Sequence, residues 1–482
     1  MKIRIDGGVV VGWSGSHHEL VPDGSVLIEG DRVMSVGTDQ SASADRVIDA
    51  TGKIVCPGFI NLHVHSQLNI GDYLLADVTK KDYLAANWFV FGAPLKEKVE
   101  APPAAAVALG RKYALYSALR NGSTTVLDPG GGPGALEDYV AIVGQLGGRV
   151  FFSPPYRSHD IFTDAQGRHY YEERQDKGRP GLQKAVEFIK QYHGAHGGRL
   201  QGILNPAQAE TCEPTLLMES AAAARELDVP IHIHAGGNFR EFLQILNTYR
   251  KPVVGYLADS GILGPRTTIG HMAITGGHSR VDYPRGDELK LLAESGATVG
   301  HCPYKCAKMG FAMESFDQYL AAGVRIGLGT DTYPLDIVAE MRYASLISRL
   351  VDKNASGARP ADVFNAATVG GARALGRDDL GRLAAGAKAD VVIINLRNTR
   401  YGPLCDPINA LVEYGCGADV ETVIVDGAIV VENGRSTRID EAELFAQAEA
   451  GAKRAWDNWA GRDWNGRTVE QIIPPAFPNR KA

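Results

Sequence analysis

Between residues 58 and 377 the sequence repeats one pattern eight times: a short apolar run rich in β-branched residues, then a longer stretch of helix formers. The runs are GFINLHVH, STTVLD, RVFFSPPY, LQGILN, PIHIHA, TTIGHM, ATVGHC and RIGLGTD. The helical stretches fall near 101–120, 135–146, 180–193, 215–227, 238–249, 285–295, 313–322 and 334–351. Strands that each lead into a helix run parallel, because the chain must cross back over the sheet before the next strand begins. Runs that are apolar on both faces fit a sheet covered on both sides. Eight such units predict an α/β fold, a TIM-type (β/α)₈ barrel. A doubly wound open sheet would carry a G-x-G-x-x-G turn early, and the GGGPG at 130–134 lacks that order.

The two ends of the chain read differently. Residues 1–57 form short strands separated by turns, and matching strands recur in ADVVIINL (389–396) and TVIVDGAIVVENG (422–434). Hairpins of this size cannot bury both faces alone. The expectation is therefore one β-sandwich built from 1–57 and 378–435, with the barrel of 58–377 inserted between its halves. Residues 436–482 read as a C-terminal helix and arm, whose Trp456, Trp459 and Trp464 offer contact area for a homo-oligomer. A net charge of -6 in 482 residues gives no reason to expect a nucleic acid or an anionic membrane as partner. No apolar run approaches a membrane span. Six cysteines without framework spacing predict reduced thiols and a cytoplasmic protein, and Cys302-x₃-Cys306 lacks the further ligands of a structural zinc site.

Barrels of this kind work at the C-terminal ends of their strands, so polar residues just after each apolar run matter most. Unit one ends in His63-Val-His65, unit five in His232-Ile-His234, unit six in His271, unit seven in His301 and unit eight in Asp331. Alternate residues on a strand face the same side, so His63 and His65 can share one cation. Ionisable groups gathered in one funnel cost desolvation unless a cation or a reaction compensates it. Imidazoles with a carboxylate suit one divalent metal, Zn²⁺ first and Fe²⁺ or Mn²⁺ as alternatives, and leave a position open for water. Such a site activates water, with Asp331 as proton acceptor and His271 and His301 polarising the substrate. His17, His18, His159, His169, His193, His196 and His278 lie mostly in loops or polar helices and read as solvated.

PGFINLHVH, VPIHIHA, TIGHM, VGHCPYKCAKMG and IGLGTDTYPLDIVAEMR resemble successive signatures of the amidohydrolase superfamily, in its branch of triazine hydrolases and nucleobase deaminases. LGRLAAGAKADVVIINL and DPINALVEYGCGADVETVIVDGAIV extend the resemblance over nearly the whole chain. It implies a deformed barrel with the two-ended sandwich, metal ligands His63, His65, His234 and Asp331, and His271 beside the activated water. No Lys stands at the end of strand four, where binuclear relatives carry a bridging lysine, so one metal is implied.

The departures bear on the reaction. Deaminases of this branch carry H-x-H-x-x-E after strand five, where the Glu shuttles protons; here Gly237 takes that place. The common P-H-A-P-Y-T-C of strand four becomes Pro206-Ala-Gln208-Ala-Glu210-Thr-Cys212, and H-C-P-x-S-N becomes His301-Cys-Pro-Tyr304-Lys305-Cys. The leading expectation is a metal-dependent hydrolase of a non-peptide C–N bond, of amide, urea or carbamate type, or one displacing a substituent from an N-heterocycle. The alternative is an aminohydrolase in which Glu210, Asn238 or a water replaces the missing Glu. A non-catalytic binding protein would have no use for an open metal position. Candidate substrate-binding residues are Trp88, Phe91, Tyr156, Arg157, Gln208, Glu210, Asn238 and Tyr304. The polar insert at 163–180 either covers the site or decorates the surface.

Overall fold

A computed structural model describes residues 1–66, 96–98, 103–130, 135–166, 168–463, 465–472 and 474–477. The strands in chain order are β1 (Lys2–Trp13), β2 (His18–Glu29), β3 (Arg32–Gly37), β4 (Arg46–Asp49), β5 (Lys53–Pro57) and β6 (Phe59–Asn61). They continue with β7 (Ser123–Asp128), β8 (Arg149–Phe152), β9 (His159–Thr163), β10 (His169–Glu173), β11 (Leu200–Gly202), β12 (Ile231–Ala235) and β13 (Thr267–His271). The last are β14 (Thr298–His301), β15 (Arg325–Leu328), β16 (Val391–Asn395), β17 (Val420–Val425), β18 (Ala428–Glu432) and β19 (Arg435–Ser436).

Eight of these strands make the predicted ring. One parallel sheet runs β6-β7-β8-β11 and another β12-β13-β14-β15. Backbone hydrogen bonds close both seams. At one, Leu62 N–H donates to Leu328 O and Asp331 N–H to His63 O, each at 2.8 Å; at the other, His232 N–H donates to Leu204 O at 2.9 Å. Helices at Ala104–Arg120, Leu136–Leu146, Arg179–Tyr192, Pro214–Leu227, Phe239–Tyr249, Glu288–Ser295, Phe316–Ala321 and Ile337–Asp352 follow the strands in the expected order. Several begin at side-chain caps: Asn238, Ser315 and Asp336 each accept a first-turn N–H.

The strands from both chain ends meet in one sheet of nine, ordered β19-β18-β17-β16-β5-β1-β2-β3 with β4 against β1. The two ends join where β5 runs antiparallel to β16, Lys53 opposite Asn395 and Pro57 opposite Val391. Instead of two separate layers, a single hydrogen-bonded sheet bends through bulges in the long β1, whose first half pairs with β4 and whose second half pairs with β5. Its inner face buries Ile3, Ile5, Val26, Ile28, Val391, Ile393 and Ile424. Arg149, at the start of β8 and fully buried, links the barrel to this sheet. Its guanidinium donates to Thr125 Oγ1 at 3.2 Å and is ion-paired with Asp390 and with Asp426, the latter at 2.5 Å.

The C-terminal helix Glu441–Asp457 packs on Ala104–Arg120 through the edge-to-face pair Tyr113 and Phe445, centroids 5.8 Å apart. Trp459 is buried within its own chain, which removes it from the expected partner surface, and Trp464 lies outside the described residues. Two histidines read as solvated are covered, His18 in part and His278 fully. His18 meets Thr368 Oγ1 at 3.2 Å between the Trp13 and Phe364 rings, and buried His278 contacts Ala312 O at 3.1 Å. Both lie near turns in the sequence but are covered by segments distant from them in the chain. Among the described residues no helix is long and apolar enough to cross a membrane.

Candidate metal centre and active site

The strand-end histidines converge as predicted. His63, His65 and His234 form one group, and His63, His271 and Asp331 another, in which each residue's ligand atom lies within 4.8 Å of the others. All of these side chains are buried. His65 Nε2 and His234 Nε2 approach to 2.9 Å, and Asp331 Oδ1 lies 3.5 Å from His65 Nε2 and 4.0 Å from His63 Nε2. The other carboxylate oxygen, Oδ2, faces His271 Nε2 at 3.8 Å and Lys305 Nζ at 3.7 Å. Asp331 therefore turns one oxygen to the two imidazoles of strand one and the other to His271 and Lys305.

Backbone and second histidine contacts fix which nitrogens point inward. His234 Nδ1 lies 2.6 Å from Ala207 O, a contact that requires the proton on Nδ1 and leaves Nε2 as the lone-pair atom. His63 Nδ1 lies 2.9 Å from His232 Nε2, so His63 likewise presents Nε2 to the centre. Buried His63 Nε2 and Asp331 Oδ1 have no hydrogen-bond partner among the described residues. A lone-pair nitrogen and a carboxylate oxygen left in this way, beside two more inward imidazoles, fit a divalent cation and match zinc's preference for nitrogen and carboxylate ligands.

The electrostatics keep the imidazoles neutral, as ligation requires. Burial drives His63, His232 and His271 well below the ordinary histidine range, and neighbouring imidazoles add to the effect. For His271, Lys305 is the largest charged contributor. Burial also brings His234 and His301 down to about 3. It pushes the Asp331 carboxyl up, while Lys305 and His234 pull it back. The Cys302 and Cys306 thiols are buried and raised, Cys306 to about 12, so they stay protonated and inert.

The local backbone is built around these ligands. His271 (φ 79°) and Asp331 (φ 63°) occupy left-handed conformations that side chains seldom adopt, strain held by the surrounding ladders. Asn61 ties two ligand segments together: its Oδ1 accepts from His63 N–H at 3.3 Å and Thr330 N–H at 3.1 Å, and its Nδ2 donates to Thr330 Oγ1 at 2.9 Å. Gly270 makes room for the His63–His232 pair, since a Cβ there would lie 2.7 Å from His63 Cε1 and 3.0 Å from His232 Nε2.

Several expected site residues have other employment. Asn238 is the N-cap of helix Phe239–Tyr249, its Oδ1 accepting from Glu241 N–H at 2.9 Å. Tyr156 is buried with its hydroxyl donating to Ser220 Oγ at 2.8 Å on the helix behind the strand. Arg157 pairs with Asp160 at 2.6 Å, and Glu210 with Arg240 at 2.5 Å. Gln208 lies beside His234 through a backbone bridge. The Tyr304 ring stands 4.8 Å from that of Tyr343. No hydrogen bond or ion pair among the described residues joins His301 to Asp331. Trp88 and Phe91 lie outside the described residues. The insert after strand three forms the β9-β10 hairpin, and Arg240 lies 5.3 Å from its Tyr171 ring, which sets it beside the strand-five helix.

Gly237 has no side chain, and its N–H donates to Glu241 Oε2 at 2.9 Å. A Cβ at 237 would come within 2.8 Å of His271 Cδ2. Sequence reasoning named His232 at its strand end and Lys305 in the altered strand-seven motif without giving either a role, and missed Asn61 and Glu241. For His232 the signal was present, since alternation places it on the same face as His234.

A closed parallel barrel holding inward imidazoles and a carboxylate at its C-terminal end defines a metal-dependent hydrolase. A sequence profile of the Amidohydrolase family matches residues 54–430, and the chain belongs to that family. It is similar to a 5'-deoxyadenosine deaminase of Methanothermobacter thermautotrophicus, 32% identical over 89% of this chain and 94% of that one. A 5-methylthioadenosine/S-adenosylhomocysteine deaminase of Desulforudis audaxviator is 29% identical over 94% and 99%. Among solved structures, an adenosine deaminase of Xanthomonas campestris with bound zinc has a TM-score of 0.78 at 23% identity, covering 94% of this chain and 98% of that one. A mutant atrazine chlorohydrolase of Arthrobacter aurescens, complexed with zinc and atraton, has a TM-score of 0.78 at 24% identity, covering 93% and 100%. The chain is accordingly a metal-dependent enzyme of this family that hydrolyses carbon–nitrogen bonds other than peptide bonds, and its clustered imidazoles and carboxylate could hold a divalent ion.

Proposed function

We propose that this enzyme hydrolyses a C–N bond of amide, urea or carbamate type, or displaces a substituent from an N-heterocycle, without a glutamate shuttle after strand five. His63, His65, His234 and Asp331 would hold one divalent ion. When bound, such an ion supplies the Lewis acidity that makes water nucleophilic near neutral pH. Asp331 Oδ2 is the oxygen not turned to His63 and His65, and it can take a proton from the attacking water and pass it to the leaving group. Neutral His271, 3.8 Å from that oxygen, can donate to the substrate atom on which charge develops. The carrying observation is Gly237: the position offers no proton carrier, and its one polar hydrogen is occupied by Glu241.

A second reading, deamination of a nucleoside or other N-heterocycle, is supported by the names of the relatives and by the buried Glu241 beside Gly237. Burial and nearby Glu210 hold the Glu241 carboxyl well above the usual range, so it can carry a proton. The test is a panel of amides, ureas, carbamates, purine nucleosides, pyrimidines and triazines with zinc supplied. Hydrolysis of an amide, urea or carbamate, or release of a ring substituent other than ammonia, supports the first reading, and rapid ammonia release from a nucleobase refutes it. A cytoplasmic homo-oligomer is the setting we propose. The six free cysteines support a reducing compartment, and exposed Phe445 and Phe477 support contact between copies.

A further inference from the structure

Lys305 is a cation where the sequence signature of this branch has a serine, and it lies inside the metal centre. Its side chain is 11% exposed, and Nζ is 3.7 Å from Asp331 Oδ2, the oxygen not turned to His63 and His65. Asp331 is its only ion-pair partner among the described residues. Glu340, buried nearby, is turned to the backbone and accepts from Tyr304 N–H at 2.9 Å. Lys308, one turn further along the same short helix, lies half-buried over the Tyr304 ring at 5.2 Å.

The formal charges then do not balance. With a divalent ion bound, the ion and Lys305 would outnumber the one carboxylate that faces them, Asp331, so positive charge would be in excess at a buried spot. The carboxylate that Glu would supply at 237 is absent. Uncompensated buried charge is costly, and an anionic ligand removes that cost. A lone ammonium pairs with a single carboxylate as a point charge, without the bidentate fork that an arginine offers a phosphoryl group.

We propose that Lys305 is a substrate-binding residue that selects a small molecule carrying a carboxylate close to the C–N bond to be cleaved. This rests on the hydrolytic reading above and names the substrate class for that same site. Lys305 donates to the carboxylate, and Asp331 Oδ2, relieved of its pairing with the ammonium, is left to handle protons.

The test is calorimetric binding to the zinc-loaded protein, with benzoate, benzamide and inorganic phosphate as probes, in wild type, Lys305→Met and Lys305→Arg. Wild type should prefer benzoate. Lys305→Met should weaken benzoate about ten- to a hundredfold while benzamide changes less than about twofold, the range of a hydrogen bond to a charged group. Zinc content should stay the same, and Lys305→Arg should restore most of the benzoate affinity. Equal loss of both organic probes, unchanged benzoate binding in Lys305→Met, or loss of zinc would overturn the assignment. Lys305-dependent phosphate binding tighter than that of benzoate would overturn the choice of carboxylate. Turnover is not read in this experiment. A failed hydrolysis panel with intact Lys305-dependent binding therefore refutes the reaction and keeps the anion site, whereas the reverse pattern does the opposite.

Discussion

Gly270 sits on β13 against the paired imidazoles of His63 and His232, and replacing it with alanine perturbs the metal centre without replacing a ligand. The added Cβ would stand 2.7 Å from His63 Cε1 and 2.9 Å from His63 Nδ1. Carbon atoms in contact prefer about 3.5–4.0 Å, so the His63 ring must retreat by roughly 1 Å. Ligand geometry tolerates about 0.5 Å. Disturbing the group that orients a ligating histidine costs roughly 10–100-fold in metal affinity, and overpacking costs ~1–3 kcal/mol of stability. The control is Gly300→Ala on adjacent β14, where the nearest atom to a Cβ is Thr268 Cγ2 at 3.4 Å, an ordinary contact. Neither glycine has a positive φ, so backbone strain does not enter. Zinc affinity measured by competition with a chelator should fall in Gly270→Ala and stay near wild type in Gly300→Ala. Equal affinity in the two variants would refute the packing argument.

Two further outcomes follow from groups away from the metal. Arg149→Met leaves Asp390 and Asp426 buried at the join of barrel and end sheet without their guanidinium, and should lower unfolding free energy by about 3 kcal/mol or more in urea; a loss under about 1 kcal/mol would show that water or Lys388 compensates them. Burial lowers the His18 imidazole in the folded chain to about 4, from an ordinary value near 6.5. Above the unfolded pKa both states are neutral and its contribution is full; as pH falls from 6.5 to about 4 only the unfolded state gains the proton, and up to ~3 kcal/mol is lost. A His18→Gln variant should therefore show a flatter stability profile over that window than wild type, and parallel profiles would contradict the assignment.

The barrel was legible because its signals are periodic: eight apolar runs, each followed by a helix, leave little topological choice. The metal ligands were legible for a related reason, since each stands just after a strand and strand ends in such a barrel share one mouth. What could not be read depends on contacts between segments far apart in sequence. Asn61 joins His63 to Thr330 across the seam of the ring, 269 residues away, and Lys305 reaches Asp331 only because β14 and β15 are neighbours. The misreadings have the same origin. Tyr156 follows a strand end like the ligands, but its hydroxyl turns outward to Ser220, and strand-end position alone does not reveal that parity. Asn238 stands just before a helix with an acidic third residue, a capping signal that outweighed its nearness to the site.

The central claim is one divalent ion held by His63, His65, His234 and Asp331, and the direct measurement is metal content by elemental analysis of wild type and His234→Ala after dialysis. The predicted result is one equivalent of zinc or a similar divalent metal per wild-type chain and a large loss in the variant. A folded wild-type protein without stoichiometric metal, or a His234→Ala protein that retains a full equivalent and full hydrolytic activity, would contradict it.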